Sequence, residues 1–279
     1  MTHAPDSMTL KLRQRGLSLV ELMISIALGM IVILAITYVF AGSRASHRNQ
    51  ESLSAVQESG RMALELLTRD IRMTGFPGCG NLAFLDHRSP DFSNANVITG
   101  VANAAAVVPD TVTLLHGSAN LTTVDAMPAT NQLNLVSAVA LGPLEVGDRL
   151  LVSDCTFTEV VTLSVLPVGN LITATAPLGR QFAPGSRVMR LETVAYTVAG
   201  NELLRNGQAV AGGTENMKLF YGIDSNGDRS VNEYVNNPGA LPPPLGWPSV
   251  VAVRVNLTIA QGGLSMPFST TIALRNRAP

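Results

Sequence analysis

A continuous apolar run near the N-terminus constrains this chain more than any other feature. From Leu17 to Phe40 the sequence reads LSLVELMISIALGMIVILAITYVF, 24 residues whose only formal charge is Glu21. As an α-helix with a rise of 1.5 Å per residue, the run would extend about 36 Å. Because the hydrocarbon core of a bilayer is about 30 Å thick, the run predicts a helix that spans a membrane.

The basic residues beside the run predict its orientation. Lys11, Arg13 and Arg15 all precede it, and basic residues favour the cytoplasmic side of a membrane segment. We therefore expect the N-terminus in the cytoplasm and the residues after the run on the other side of the membrane.

A cleaved secretory signal is the first alternative, since Val39-Phe40-Ala41 offers a small-residue cleavage site. Such a signal has an apolar middle of about 7 to 15 residues, whereas this run is longer and contains Glu21. An ionisable residue within a membrane segment is by default a hypothesis of function. The competing interpretation is that Glu21 lies at the headgroup level of a plain anchor.

The residues around the start of the run resemble the class III signal of type IV pilins and type II secretion pseudopilins. Gly16 precedes an apolar residue, and Glu21 is the fifth residue after that glycine. The resemblance implies that a prepilin peptidase cleaves between Gly16 and Leu17 and methylates the new N-terminus at Leu17. Most members have Phe at the first mature position, so Leu17 is a departure that points to a minor subunit.

The same resemblance implies a role for Glu21 in assembly. In a filament the N-terminal helices would pack in an apolar core, where an unpaired carboxylate is costly. An ion pair between Glu21 and the N-terminal amine of a neighbouring subunit would offset that cost and set the register. The position of Glu21 near the helix start also suits the positive end of the helix dipole.

The helix is predicted to continue beyond the apolar run. Between Arg44 and Met73, apolar or small residues recur at intervals of three and four, and charged residues occupy the rest of the wheel. The recurring positions are Leu53, Val56, Gly60, Leu64, Leu67 and Ile71, and the charged ones are Glu51, Glu58, Arg61, Glu65, Arg69 and Asp70. Gly75 and Pro77 predict an end near Thr74.

The segment from Gln57 to Phe76 is similar to the PilW family of minor pilins, in which such a helix leads into a Gly-Phe or Gly-Tyr turn and a cysteine, here Cys79. Further similar segments are Gly147 to Cys155, Tyr221 to Tyr234 and Leu274 to Arg277. The resemblance implies a subunit that is stored in the inner membrane with a periplasmic head. It also implies assembly at or near the tip of a type IV pilus, with other minor and major pilins and a large tip adhesin.

After Pro77 the sequence turns to short β-rich segments separated by Gly, Pro, Asn and Asp. They are Thr111 to Leu115, Arg149 to Ser153, Thr158 to Leu166, Val188 to Val198, Met217 to Ile223, Val250 to Ile259 and Phe268 to Leu274. We predict an α+β, type IV pilin-like fold in which the long N-terminal helix packs on a mainly antiparallel β-sheet head. Weak patterning predicts surface loops at Asn81 to Asn120 and at Asn236 to Trp247.

Four segments follow from these observations. Residues 1–16 would be a cleaved basic leader, and residues 17–42 the half of the helix that lies in the membrane or the filament core. Residues 43–75 would be the amphipathic half, and residues 76–279 the β-rich globular head.

Cys79 and Cys155 are the two cysteines of the chain, and both fall in the exported part. Disulfides form in oxidising compartments, so a bridge between them is the simplest interpretation. Two free thiols in the core are the alternative. A metal pair is disfavoured because no second Cys or His stands at ligand spacing to either cysteine.

The segment from Asp224 to Glu233 is the second candidate site. Oxygen-bearing side chains at Asp224, Asn226, Asp228 and Ser230, with Glu233 behind them, resemble the start of a calcium loop. Arg229 replaces the expected Gly, and Val235 stands where the bidentate Glu should be. The alternative is a polar turn between two strands. The sequence indicates no cofactor other than this calcium ion.

The sequence favours a structural function over catalysis or nucleic-acid binding. It contains no nucleophile elbow, phosphate loop or HExxH motif. Removal of residues 1–16 takes away three of 19 basic and one of 20 acidic residues, which leaves 16 against 19 and a net charge near −3. The sequence contains no stripe of basic residues with interleaved aromatic residues, so it gives no sign of a surface that binds nucleic acid. The alternatives are a type II secretion pseudopilin and, in another class, a membrane-anchored periplasmic binding module.

Overall fold

The computed structural model describes residues 18–103, 105 and 108–277. The chain divides into two compact units, residues 1–51 and 52–279. One helix, α1 (Leu19–Met73), contributes to both units. The predicted cleavage residues Gly16 and Leu17 lie outside the described residues.

The first part of α1 is apolar and uncovered within its unit. Every described side chain from Ser18 to Glu51 is exposed, and the helix contains an 18-residue window with a mean hydropathy of 2.7. Within the described residues, α1 is the one helix that is long and apolar enough to cross a membrane.

The second part of α1 contributes one face to the core of the head. Its buried residues recur with helical spacing: Val56, Gly60, Ala63, Leu67, Asp70 and Ile71. This pattern confirms the amphipathic prediction, although Leu53 is 38 % exposed and Leu64 only half-buried. The helix ends at Met73, and Gly75 adopts a positive φ of 70° that suits the chain reversal after it.

Fourteen strands form two sheets within the described residues. They are β1 (Asp86–His87), β2 (Ile98–Val101), β3 (Thr111–Ala129), β4 (Gln132–Leu135), β5 (Arg149–Ser153), β6 (Phe157–Thr162), β7 (Leu171–Thr173), β8 (Arg187–Ala199), β9 (Glu202–Arg205), β10 (Gln208–Gly212), β11 (Thr214–Ile223), β12 (Glu233–Val235), β13 (Val250–Gln261) and β14 (Leu264–Ala273).

The larger sheet has ten strands, with the path β1-β6-β5-β8-β3-β4-β7 and the short strands β2, β9 and β10 attached at its side. The smaller sheet has the order β12-β11-β13-β14. Pairing is antiparallel throughout the described strands except for the two-residue parallel pair β1 and β6. The α+β, pilin-like prediction is therefore confirmed.

The main core lies where α1 meets both sheets. Ala63, Leu67 and Ile71 of the helix pack in one cluster with residues of β8, such as Tyr196, and of β13, such as Val255. A second core fills the end of the larger sheet around β4, β5 and β7, and a third small one lies beneath residues 82–97. Burial of this apolar area is the main source of the stability of the head.

The predicted strands agree with the observed ones to different degrees. β5 matches in full, β3 and β13 are longer than predicted, and the strand predicted for Thr158 to Leu166 ends at Thr162. The loop predicted for Asn81 to Asn120 is wrong, because this segment contains β2 and the first half of β3 and buries Phe92 and Val97. Its apolar residues have weak patterning, and the pairing of Ile98 with Leu114, both fully buried, supplies the burial that stabilises its strands.

The second predicted loop is confirmed. Between Asn236 and Trp247 the described chain forms no strand, and its regular structure is limited to single 3-10 turns at Pro238–Ala240 and at the start of Trp247–Ser249. The stretch packs at its ends through buried Pro238 and half-buried Trp247.

Candidate functional site

The first turn of α1 positions Glu21. Ser18 lies directly before the helix, and its hydroxyl accepts a hydrogen bond from the backbone N–H of Glu21 at 3.2 Å. Ser18-Leu19-Val20-Glu21 is thus a capping-box sequence, a helix-start signal that the sequence analysis missed. The Glu21 side chain is exposed, and the carbonyl of Glu21 accepts a hydrogen bond from the Ser25 hydroxyl at 2.7 Å.

The exposed apolar surface around Glu21 has no cover within its own unit. Large side chains along it remain open to solvent, from Leu19 at 77 % to Tyr38 at 83 %. Exposed apolar surface of this extent is unfavourable in water and marks an interface with lipid or with protein. Glu21 is the charged residue in the described part of this surface before Arg44.

A buried polar cluster joins α1 to the larger sheet. Asp70 is 5 % exposed, and its Oδ2 accepts hydrogen bonds from the Tyr196 hydroxyl at 2.7 Å and from Arg205 Nε at 2.6 Å. Burial and the bond to Asp70 raise the pKa of Tyr196, and the same carboxylate raises the pKa of Arg205. The sequence pattern placed Asp70 among the charged positions of the helix and gave no sign of its partners.

A close contact holds α1 against the smaller sheet. A Cβ atom added to Gly60 would lie 2.5 Å from two ring carbons of Phe268 on β14. Real Cβ atoms essentially never come this close to another atom, so the Phe268 ring can take this position against the helix only because residue 60 is glycine. The absence of a side chain, rather than backbone freedom, explains the glycine in this helix.

The segment after β14 secures the end of α1. Asn276 Nδ2 donates to the carbonyl oxygen of Thr74 at 3.0 Å and lies 3.3 Å from that of Met73. These carbonyls belong to the helix end and have no partner within the helix, so the amide acts as a cap. Leu274 is buried beside it, and Arg277 Nη1 donates to the carbonyl of Trp247 at 2.8 Å.

The disulfide prediction is confirmed. Cys79 and Cys155 are bonded, with their Cα atoms 5.0 Å apart, and the free-thiol alternative is wrong. The bond ties the segment that follows α1 to the turn between β5 and β6. It closes a loop of 76 residues and thereby restricts the unfolded chain.

The loop between β11 and β12 contains the residues proposed as calcium ligands. Asp224 accepts hydrogen bonds from the backbone N–H groups of Gly227 at 2.7 Å and of Arg229 at 2.8 Å. Asp228 accepts one from the N–H of Ser230 at 2.8 Å, and bonds from Ser230 lower the pKa of this carboxyl. These contacts are typical of a polar turn.

Asn226 and Glu233 are further members of the predicted set of calcium ligands. Asn226 Nδ2 donates to Asp228 Oδ2 at 2.9 Å, whereas Glu233 lies on β12 opposite Ile223. In the part of the chain that the structure describes, no group of three His, Cys, Asp or Glu side chains is placed to hold a metal ion. Calcium binding by this loop stays a prediction.

Two family models match the chain. The model of the prokaryotic N-terminal methylation motif matches residues 11–37, which include Gly16, Leu17 and Glu21. The model of type IV pilus-assembly protein W matches residues 183–267, from the turn before β8 to the first strand residues of β14. The second match contains Tyr196 and Arg205. No curated protein matches the chain.

Proposed function

We propose that this chain, a PilW-like type IV pilin, is a minor subunit that type IV pili need for assembly and that lies at or near the pilus tip. The two family matches support a type IV pilus-related minor pilin, and the family is one of structural proteins. Its expected partners are other pilins and a prepilin peptidase. The match to the pilus-assembly model favours a pilus over a type II secretion pseudopilus.

We propose that prepilin peptidase cleaves between Gly16 and Leu17 and methylates Leu17. The match of the methylation motif to residues 11–37 supports this step, because it includes both residues. The helix cap at Ser18 supports it as well. Cleavage at this bond would leave a single residue before the cap, so the new amine would lie within one helical turn of Glu21.

Glu21 then directs assembly. The observation that carries this proposal is an apolar helical surface, exposed from Leu19 to Phe40, with one carboxylate in its first turn. Lipid would cover this surface before assembly, and the helices of neighbouring pilins would cover it afterwards. Among packed helices the carboxylate needs a partner, and the N-terminal amine of an adjacent pilin supplies one of opposite charge.

The apolar helix would anchor the subunit in the inner membrane, with the N-terminus in the cytoplasm and the β-rich head in the periplasm. The basic residues Lys11, Arg13 and Arg15 support this orientation. The disulfide between Cys79 and Cys155 supports it too, since such bonds form in an oxidising compartment. After assembly the head would lie at the cell surface near the tip, in contact with other minor pilins and a tip adhesin.

Substitution of Glu21 tests the proposed assembly step. We expect Glu21→Val and Glu21→Gln to be processed and inserted into the membrane like the native chain, yet to be missing from sheared pili. Glu51→Gln is the matched control, because Glu51 is an exposed carboxylate on the same helix beyond the apolar surface. Immunoblots of membrane and pilus fractions measure how much of each variant is in the membrane and how much is in pili. Normal amounts of the Glu21 variants in pili would contradict the proposal.

Antibody labelling tests the proposed position at the pilus tip, and a deletion strain tests whether the chain serves a pilus or a type II secretion system. Gold-labelled antibody against the head should mark the ends of filaments, and labelling along their whole length would contradict a tip position. Deletion of the gene should abolish or sharply reduce piliation and leave type II secretion intact. The opposite result would support the pseudopilin alternative.

A further inference from the structure

A cavity of about 390 Å³ lies where the segment after β14 meets the loop between β11 and β12. Its walls include two arginines, Arg229 and Arg277, together with Phe84, Asn94 and Asp224. The volume is within the range of sites that hold small molecules or single side chains. Neither the family matches nor the proposed assembly role assigns anything to this cavity.

Arg277 is a buried cation, and three of its five N–H groups have no partner among the described residues. The residue is 4 % exposed, and Nη1 donates to the carbonyls of Trp247 at 2.8 Å and Val250 at 3.1 Å. Nε and Nη2 are buried and have no hydrogen-bond partner in the part of the chain that the structure describes. In a guanidinium group these two nitrogens share one edge, and their N–H bonds point in parallel. This edge matches the two oxygens of a carboxylate.

Among the described residues, the charge of Arg277 also has no counter-ion. Ion pairs within the described residues involve other cations, namely Arg88, Arg149, Arg180, Arg190, Arg205 and Lys218. Burial lowers the pKa of the Arg277 guanidinium to about 9, as expected for a cation that is removed from water without compensation. An anion beside the guanidinium would offset the free-energy cost of burying its charge.

Arg229 offers a second positive group at the outer wall. Its guanidinium lies over the Phe84 ring, 4.3 Å from the ring centre, and forms no ion pair within the described residues. Asp224 is the acidic residue of the walls, and each of its oxygens accepts a hydrogen bond from a backbone N–H of its own loop. Asn94 Oδ1 is buried without a partner among the described residues and adds a further polar group.

We propose that this cavity binds a carboxylate group, with its two oxygens on the Nε and Nη2 edge of Arg277 and Arg229 closing over it from the outer wall. The carboxylate belongs either to a free small organic acid or to an acidic side chain of a partner protein. Both sources present the same chemistry to the cavity. The site does not depend on the proposed role of the chain in pili.

The sole tryptophan of the chain reports on this site. Trp247 is the only tryptophan in the sequence, and its carbonyl accepts the hydrogen bond from Arg277 Nη1. Binding at the other edge of Arg277 should therefore change the fluorescence of the full chain in detergent micelles. We would titrate it with sodium acetate and sodium glutarate, against sodium chloride at the same ionic strength.

Two blocked pentapeptides distinguish the sources of the carboxylate, one with a single central Glu and the other with Gln in its place. Saturable binding of the small acids without binding of the Glu peptide assigns the site to a free acid. Binding of the Glu peptide but not of the Gln peptide assigns it to a partner side chain. Absence of a saturable change with every carboxylate overturns the proposal.

Three variants localise the binding. Because charge-assisted hydrogen bonds are involved, Arg229→Ala and Arg277→Lys should each weaken it about tenfold or more. Arg277→Lys keeps the charge but lacks the two parallel N–H groups that match a carboxylate. Arg254→Ala is the matched control, since Arg254 also stacks on an aromatic ring, that of Tyr234 at 4.0 Å, but does not line the cavity. Equal affinity in the native chain and in both cavity variants overturns the proposal.

Discussion

Replacement of Asp70 by alanine should loosen the attachment of α1 to the larger sheet. The carboxylate of Asp70 receives hydrogen bonds from Tyr196 at 2.7 Å and from Arg205 at 2.6 Å. In Asp70→Ala the Tyr196 hydroxyl stays buried without an acceptor, because Tyr196 is 0 % exposed. Arg205 loses its counter-ion at the same time.

The expected cost follows from these two losses. A buried hydroxyl without a partner costs about 1–3 kcal/mol, and a hydrogen bond to a charged group contributes about 1.5–3 kcal/mol. The side chain of Arg205 is 33 % exposed, so water compensates part of its loss and the second contribution is discounted. We therefore expect Asp70→Ala to lower the free energy of unfolding by about 3 kcal/mol.

Urea unfolding of the full chain in detergent, followed by near-ultraviolet circular dichroism, measures this change. Glu65→Ala is the control, because Glu65 is an exposed carboxylate one and a half turns away on the same helix. It should change the free energy of unfolding by no more than about 0.5 kcal/mol. Tyr196→Phe should cost about 1 kcal/mol in the native chain, whereas in the Asp70→Ala background it should raise the free energy of unfolding by about 1–3 kcal/mol because it removes the unpaired hydroxyl.

Two results would refute this reasoning. The first is a loss of stability in Asp70→Ala no greater than that in Glu65→Ala. The second is additivity of the Asp70 and Tyr196 substitutions, since groups in one hydrogen-bond network should not act independently.

Four further predictions concern the contact between Gly60 and Phe268, the pKa of Tyr196, the disulfide, and the loop between β11 and β12. Gly60→Ala should lower the free energy of unfolding by about 1–3 kcal/mol because the new methyl group meets the Phe268 ring at 2.5 Å; in a Phe268→Ala background the sign should reverse, since alanine favours a helix over glycine by about 1 kcal/mol. A destabilising Gly60→Ala in both backgrounds would contradict the contact. The pKa of Tyr196 is raised in the folded chain. Above pH 10 the folded chain therefore keeps a proton that the unfolded chain loses. The contribution of this hydroxyl to the free energy of unfolding is complete below pH 10 and is lost as the pH rises further. The excess stability of the native chain over Tyr196→Phe should therefore fall by about 1.4 kcal/mol per pH unit above pH 10, and a constant difference in urea titrations at pH 8 and pH 11 would count against it. Cys155→Ser breaks the disulfide and should lower the free energy of unfolding by about 2–5 kcal/mol, with one new thiol in a thiol assay after denaturation without reductant; unchanged stability would exclude the proposed restriction of the unfolded chain. Calorimetry should detect binding of calcium to the loop between β11 and β12 that Asp228→Ala weakens, and no heat in the native chain would leave a plain polar turn.

Strong periodic signals in the sequence were sufficient for the helix and several strands. The apolar run and the three- and four-residue spacing of Val56, Leu67 and Ile71 predicted α1, and Gly75 predicted its end within two residues. β5 was predicted in full because its dense apolar residues are flanked by turn residues. In each case the pattern that predicts the element lies within its own residues.

Features that depend on distant partners were not predictable in this way. β2 has only four residues, too few for a clear pattern, and it is a strand because Ile98 pairs with Leu114. Asp70 looks like any other charged position of an amphipathic helix until the fold brings Tyr196 to it, 126 residues away. The cap by Asn276 joins residues 202 positions apart. By contrast, the capping box from Ser18 to Glu21 was present locally and was overlooked.

The N-terminus of the mature protein tests the central proposal most directly. Intact mass and N-terminal sequencing would be measured on the membrane-extracted chain from cells with and without prepilin peptidase. We predict a chain that begins at methylated Leu17 in cells with the peptidase, and a chain that retains the residues before Leu17 in cells without it. A chain that begins at Met1 or Gly42 irrespective of the peptidase would contradict assignment as a processed pilin.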